Sequence, residues 1–365
     1  MIRISVYSKY HYPFKHYFYC RLGQRCRLTV LSLNMSGVFG HYRWTFRNKQ
    51  YVLYFPERGH KWSYMSNFIA LKNFVIAKSD IFICFDTTDI LSIVLYYIFR
   101  LKRNKVMCLL DENKVGPRFS NPILYLLAIM KRTTLYRAIR AADMTIVGSE
   151  ASLKLALKIG CRSDRIMLQP HGVELDLFSK NRTVGDRSPL NVLYAGGFFE
   201  HKGYRILIQA LRTGQLNRMN FTVICFGNSE AREEMQVFPN VRLLPVQPYD
   251  RMLELYYEHD IVIMPSVETP YDAERSPNVL LEAMAAGCAV IASNIGGIPT
   301  YLGDAGILIS PNIEELVNSL LFLDENRVIL KKLSVLARQR AQSKFSMKQY
   351  ANIIYTQVQK ILDGK

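Results

Sequence analysis

Cysteine chemistry has little to work with in this 365-residue chain. Its seven cysteines are odd in number and scattered, with no Cys-x-x-Cys pair, which points to reduced thiols in a cytosol rather than a disulfide framework. Long apolar runs are also missing: LSIVLYYIF before Arg100 and ILYLLAIM before Lys131 fall well short of the roughly 20 residues that a spanning helix needs. MIRISVY runs straight into a strand pattern, without the ordered charged, apolar and cleavage regions of a secretory signal. The absence of a Gly-x-x-x-x-Gly-Lys-Ser/Thr loop argues against a nucleoside triphosphatase. No Asp-x-Asp triplet and no His/Cys/Asp cluster with ligand spacing occurs, so no catalytic metal is expected. Acidic residues are scarce in one half only. Residues 1–180 hold 28 Lys and Arg against 11 Asp and Glu, and residues 181–365 hold 19 of each, so the whole net charge of +17 falls in the first half. A basic half beside a neutral one either meets something anionic, such as a membrane surface, a nucleic acid or a charged acceptor, or is simply a solvated surface.

What is present is a rhythm. NVLYAGG, FTVICFG, VRLLPV, DIVIMPS, CAVIASN and GILIS are short β-rich runs separated by helix-length segments, the alternation of a parallel sheet with helices on both faces. IRISVY, LTVLSLN, YVLYF, DIFICFD, KVMCLLD and DMTIVGS repeat it in the first half. The expected fold is therefore α/β, with two Rossmann-like doubly wound domains. A polar, aperiodic stretch, SKNRTVGDRSPL at 179–190, marks the linker. The boundaries follow as 1–180 for an N-terminal domain, 181–345 for a C-terminal domain, and 346–365 for an amphipathic closing helix expected to pack back on the first domain.

The stretch ERSPNVLLEAMAAGCAV (274–290) raises the sharpest question. Ser276 before Pro277 is a helix-start signal, and the apolar residues that follow cover almost every direction, as in a helix buried on most sides. Asn278 and Glu282 are its polar residues and, four apart, they share a face. A buried carboxylate without partners costs several kcal/mol, so Glu282 needs a hydrogen-bond donor. An internal salt bridge or a water would supply one, and so would ribose hydroxyls, with the free N–H groups of the helix start suited to a phosphate. Glu274, eight positions earlier, can border the same space at the C-terminal edge of the sheet, where open α/β sheets bind ligands.

Glu274, seven intervening residues and Glu282, followed by AMAAGCAVIASNIGGIP, resemble the signature of glycosyltransferase family 4, retaining sugar-nucleotide transferases of GT-B fold: two Rossmann-like domains with a cleft between them. YAGGFFEHKG (194–203) resembles that family's phosphate loop, QPHGVELDLF (169–178) its interdomain segment, and DIVIMPS its strand before the first Glu. The resemblance spans about 143 to 320. It implies that Glu282 binds the ribose, that Glu274 contacts the transferred sugar, and that Lys202, in a loop with Gly196 and Gly197, neutralises the departing diphosphate. It also implies that the backbone of Arg275, Ser276, Pro277 and Asn278 lines the phosphates and sugar, and that Val246 and Gln247 approach the base. The reaction implied is transfer from a nucleoside diphosphate sugar to a glycan or lipid-linked acceptor with retention of configuration, in cell-surface polysaccharide or lipopolysaccharide synthesis, with no bound cofactor or metal.

Several positions depart from the family's pattern. Gly197 stands where an Arg usually pairs with the Lys, with Arg205 and Arg275 as candidate replacements, and IRISVYSKYHYPF lacks the family's Gly-rich loop. Asp111 and Glu112 follow the strand after which a His is common; a carboxylate there could stabilise charge on the sugar or orient the acceptor, which makes Asp111 a candidate catalytic residue, or it could be an ordinary strand-end group. His11 and His41 are outside candidates, and His171 reads as structural. On the acceptor side, NPILYLLAIMKRTTLYRAIRAAD (121–143) and LYYIFRLKRNK (95–105) join apolar runs to Lys and Arg, as helices that lie on an anionic membrane do, or as core helices with a basic outer face. The expected place is the cytoplasm, with peripheral attachment at the inner face of the cell membrane. A non-catalytic sugar-nucleotide scaffold or sensor is the rival reading. Nucleic acid is not expected as a partner, since the basic half has no recognisable binding module.

Overall fold

The computed structural model describes residues 1–10, 13–34, 51–54, 71–84, 90–110, 122–180, 184–185, 188–269 and 273–364. They divide into two compact units, 1–170 with 347–365, and 171–346.

Among the described residues the first unit holds a seven-stranded parallel sheet of β1 (Arg3–Tyr10), β2 (Arg27–Asn34), β3 (Tyr51–Tyr54), β4 (Ile81–Cys84), β5 (Lys105–Leu110), β6 (Met144–Val147) and β7 (Ile166–Leu168), in the order β3-β2-β1-β4-β5-β6-β7. β1 pairs with β2 on one side, Val6 facing Val30, and with β4 on the other, Val6 facing Ile83. The apolar runs of the sequence are these central strands, buried on both faces as parallel strands are. β7 escapes the sequence reading because three residues are too few for a periodicity to show. One face packs α1 (Pro13–Gly23) and α13 (Met347–Leu362) over Val6, Val30 and Ile83. A helical stretch over 71–76 (α2), α3 (Ile90–Leu101) and α4 (Pro122–Arg140) contribute to the clusters around Phe82 and Val106 and around Leu110 and Val147. α5 (Glu150–Lys158) starts under the Ser149 hydroxyl, which accepts from the Ser152 N–H.

Among the described residues the second unit holds a six-stranded parallel sheet of β8 (Asn191–Tyr194), β9 (Asn220–Ile224), β10 (Val241–Leu244), β11 (Ile261–Met264), β12 (Ala289–Ser293) and β13 (Ile307–Ile309), in the order β10-β9-β8-β11-β12-β13. α6 (Tyr204–Arg212), α7 (Ser229–Gln236) and α11 (Ile313–Glu325) close one face. α8 (Tyr249–Glu258), α9 (Asn278–Ala286) and α10 (Ile298–Leu302) close the other. α12 (Arg327–Lys344) contributes to both clusters.

The change of unit falls at 170/171, ahead of the linker placed by composition at 179–190. Val173 and Phe178 are buried in the second unit's core, and the Val173 N–H donates to the Phe345 carbonyl at 2.7 Å. Val184 and Leu190, inside that polar stretch, are themselves buried in the second unit's core, so the division follows where apolar side chains are buried and not where the composition turns polar.

Candidate active site

In the second sheet the strand order reverses between β8 and β11, which pair through Ile261 with Val192 and Val262 with Leu193. Loops leaving the C-terminal ends of two such strands run in opposite directions and leave a crevice, the usual ligand position in an open α/β sheet. The loop after β8 carries Gly196, Gly197 and Lys202, and the loop after β11 carries Ser266 and Glu274.

The two loops are joined tightly. The Val267 N–H donates to the His201 carbonyl at 3.0 Å. Gly203 has φ +71, and a Cβ there would fall 1.7 Å from the Pro265 carbonyl oxygen, so this approach of backbone to backbone requires glycine twice over. Above the join, Lys202 Nζ lies 2.9 and 2.8 Å from the two carboxylate oxygens of Glu274, and the Ser266 hydroxyl donates to Oε2 at 3.3 Å. The Glu274 side chain is 7% exposed and that of Lys202 26%. The ammonium is therefore the wetter partner, held by a carboxylate that has little other solvation. The Tyr194 hydroxyl donates to the Gly197 carbonyl at 2.7 Å and lies 3.2 Å from that of Lys202, which pins the loop from below.

Gly197 explains its own departure from the family pattern. Its φ is +65, and a Cβ would lie 2.6 Å from the Phe226 ring, which fills the room a longer side chain would need. Arg205 and Arg275 are both exposed, and the Arg205 guanidinium sits 5.3 Å from the centre of the Tyr204 ring.

α9 begins at Asn278 with Pro277 as its cap, and among the described residues no side chain caps it. This corrects the expected start at Pro277 under a Ser276 cap: Pro277 keeps an extended ψ of 100° and so stands just outside the helix. The Ser276 carbonyl lies 3.4 Å from His171 Nε2, and the Gly172 carbonyl 3.3 Å from Nδ1. Burial holds the His171 pKa below its ordinary value, which keeps the ring neutral and donating to one of the two carbonyls. Glu282, in the second turn of α9, accepts from the Tyr256 hydroxyl at 2.8 Å, with Tyr249 of the same helix as a further hydrogen-bond partner. Burial raises its carboxyl to about 7 against those bonds. The partner demanded by a carboxylate in an apolar helix is thus a tyrosine, and the ion pair falls on Glu274 instead.

Lys202, Glu274, Arg275, Ser276, Pro277, Asn278 and Glu282 thus share two loops and one helix at one sheet edge. Val246 and Gln247 follow β10, two strands away from β8, where Gln247 Nε2 donates to the Pro245 carbonyl at 2.7 Å. Asp111, Glu112, His11 and His41 lie outside the described residues. Ser266, Tyr194, Tyr256 and Phe226 are site-forming residues that the sequence reading misses; the seven-residue spacing of Tyr249 and Tyr256 on one helix face is the signal that could have found Tyr256. Among the described residues no group of three or more His, Cys, Asp or Glu is placed to hold a metal ion, and no helix is long and apolar enough to cross a membrane.

Two doubly wound units, the second with a Lys–Glu pair at its switch point, define a GT-B protein, and the comparisons agree. Residues 189–326 match the family described as glycosyl transferases group 1. The fold is similar to that of HepE from Anabaena, solved in complex with UDP, with TM-score 0.76, 15% identity and coverage of 99% of this chain and 100% of that one. It is also similar to sucrose-phosphate synthase from Thermosynechococcus elongatus, with TM-score 0.74, 16% identity and full coverage of both chains at 100%. In sequence it is 26% identical over 218 residues to the amylovoran biosynthesis glycosyltransferase AmsK of Erwinia amylovora, covering 57% of this chain and 53% of that protein. The chain spans about half the length of the curated relatives it matches.

Proposed function

We propose that the chain is a retaining, metal-independent glycosyltransferase that moves a sugar from a nucleoside diphosphate donor to a glycan or lipid-linked acceptor in surface polysaccharide or lipopolysaccharide synthesis. The observation that carries this reading is the Lys202–Glu274 pair at the β8/β11 switch point, inside the segment that matches the family. In the reaction the bond from the sugar's anomeric carbon to the diphosphate oxygen breaks, a bond from that carbon to the acceptor oxygen forms on the same face, and the acceptor's proton passes to the departing diphosphate. Lys202 meets the charge that grows on the leaving group, aided by the N–H groups and the positive dipole end at the start of α9. Glu274 holds that ammonium in place and faces the sugar, and Glu282 takes the ribose hydroxyls. HepE, solved with UDP and with UDP-glucose, supports a uridine donor, and AmsK supports a polysaccharide product. The membrane partner is an anionic surface met by the basic first unit, which makes the protein peripheral on the inner face of the cell membrane.

A thermal-shift panel of UDP, GDP and ADP, free and sugar-linked, tests the donor site. A ligand at about 100 times its Kd adds about 2.7 kcal/mol to stability. One nucleotide should stabilise the wild type and fail on Glu282→Ala. With that donor and a competent acceptor, Lys202→Ala and Glu274→Ala should lower turnover by about two orders of magnitude or more; normal turnover in either would remove that residue from the chemistry. The rival scaffold reading rests on Phe226 filling the space beside Gly197 where the family's second cation would stand; donor binding without turnover on any acceptor would favour it.

A further inference from the structure

The outer faces of two neighbouring helices in the first unit carry more exposed apolar side chain than a solvated surface needs. α3 shows Ile90, Val94, Tyr97 and Leu101 to solvent, at 67, 44, 45 and 84% exposure. Their spacing of four, three and four residues makes one stripe along the helix, while Leu95 and Phe99 are buried in the core. α4 shows Ile123, Leu126, Leu127 and Met130, at 70, 58, 54 and 59% exposure, and its last turn ends in exposed Arg137 and Arg140.

The helices run side by side in the same direction. Arg100, in the last turn of α3, donates to the Ala141 carbonyl and pairs with Asp143 at 2.8 Å, both just past the end of α4. Exposed Lys102 and Arg103 join Arg137 and Arg140 at that end. Because α3 and α4 return from β4 and β5, their apolar N-terminal halves lie toward the C-terminal edge of the strands, where open α/β sheets take ligands.

We infer that this α3/α4 face docks on an anionic bilayer, with the two apolar stripes entering the acyl boundary and the basic ends meeting lipid phosphates. Apolar residues on the face of a surface helix flanked by Lys and Arg are what an interfacial helix requires. Charge selects this occupant over a second copy of the chain: residues 1–180 carry all of the net +17, and a face-to-face pair of such units would bring like charges together. The inference names the surface by which the membrane partner proposed above is met. It does not depend on glycosyl transfer, because docking can be measured with no sugar nucleotide present.

The test is co-sedimentation of the full chain with vesicles of phosphatidylcholine alone and of phosphatidylcholine mixed equally with phosphatidylglycerol, in low and high salt. The wild type should prefer the anionic vesicles and keep a bound fraction in high salt. Val94→Ser, Tyr97→Ser, Leu127→Ser and Met130→Ser combined should lower that salt-resistant fraction about tenfold or more, and Arg137→Glu with Arg140→Glu should lower the low-salt binding. Tyr97→Trp, a mild change at an exposed site, should add a fluorescence component that moves to shorter wavelength on anionic vesicles. Binding equal on both vesicle types, unchanged binding by the quadruple variant, or an added emission that does not move would each overturn the docking face. A dimer that the quadruple variant converts to monomer, with vesicle binding intact, would overturn it too and give the face to a second copy.

Discussion

Glu282 is held by tyrosine hydroxyls rather than by a cation, and that choice makes it a titrating group near neutrality. Its carboxyl is raised from 4.5 to about 7 by burial. Between those values the folded protein keeps a proton that the unfolded chain has released, so this group removes stability as pH rises through that window and changes nothing further above it. Donor binding should run the other way. Ribose hydroxyls donate to the ionised form, so affinity should fall as pH drops below about 7. Glu282→Gln should flatten both profiles, and a nucleotide-induced thermal shift with the wild-type pH dependence in that variant would take Glu282 out of the donor site. The Tyr256 hydroxyl bond, at 2.8 Å, favours the ionised carboxylate. Tyr256→Phe should therefore move the donor-binding profile to higher pH, with affinity recovered under alkaline conditions.

Between elements, the decisive contact is the crossing of the β8 and β11 loops at Gly203. Gly203→Ala would place a methyl 1.7 Å from the Pro265 carbonyl oxygen at φ +71, so the crossing must open and the Lys202–Glu274 pair with it. The expected loss is about 3 kcal/mol or more, read as a fall in Tm together with lost donor binding. Gly197→Arg, although it restores the family's residue, should impair rather than rescue, because the Phe226 ring occupies its path; a gain in turnover would show that the ring swings aside. The strands on either side of this crossing were plain in the sequence, since buried parallel strands are continuous apolar runs and the glycines punctuate their ends. Lys202 and Glu274 were legible as motif residues. Their mutual bond was not, because it joins positions 72 apart, and neither was Tyr256 to Glu282 across 26 residues. Such pairs follow from strand order, which hydrophobic pattern does not encode. β7 and the exact start of α9 were missed for a more local reason: three residues carry no period, and a proline just outside a helix looks the same in sequence as one just inside.

At the scale of the chain, the first unit is assembled from both ends of the sequence. Ile354, Val358 and Tyr350 of α13 are buried with Val6, Val30 and Phe18 of the first unit, with the Phe18 and Tyr350 rings 5.3 Å apart. Ile354→Asp puts a carboxylate into that core, where an unpaired charge costs several kcal/mol. The expected outcome is loss of hydrogen-exchange protection in β1 and β2 while β8 to β12 keep theirs; equal loss in both units would mean that they unfold as one. The second unit, by contrast, is one uninterrupted stretch, 171–346. During synthesis it can finish as soon as it leaves the ribosome, since domains fold as units while the chain is made. The first unit's strands emerge earlier yet wait through all of that time for the helix that seals one face of their sheet. Until then Val6, Val30 and Ile83 offer a greasy surface to chaperones and to neighbouring nascent chains, so strands made before the second unit become native only after it.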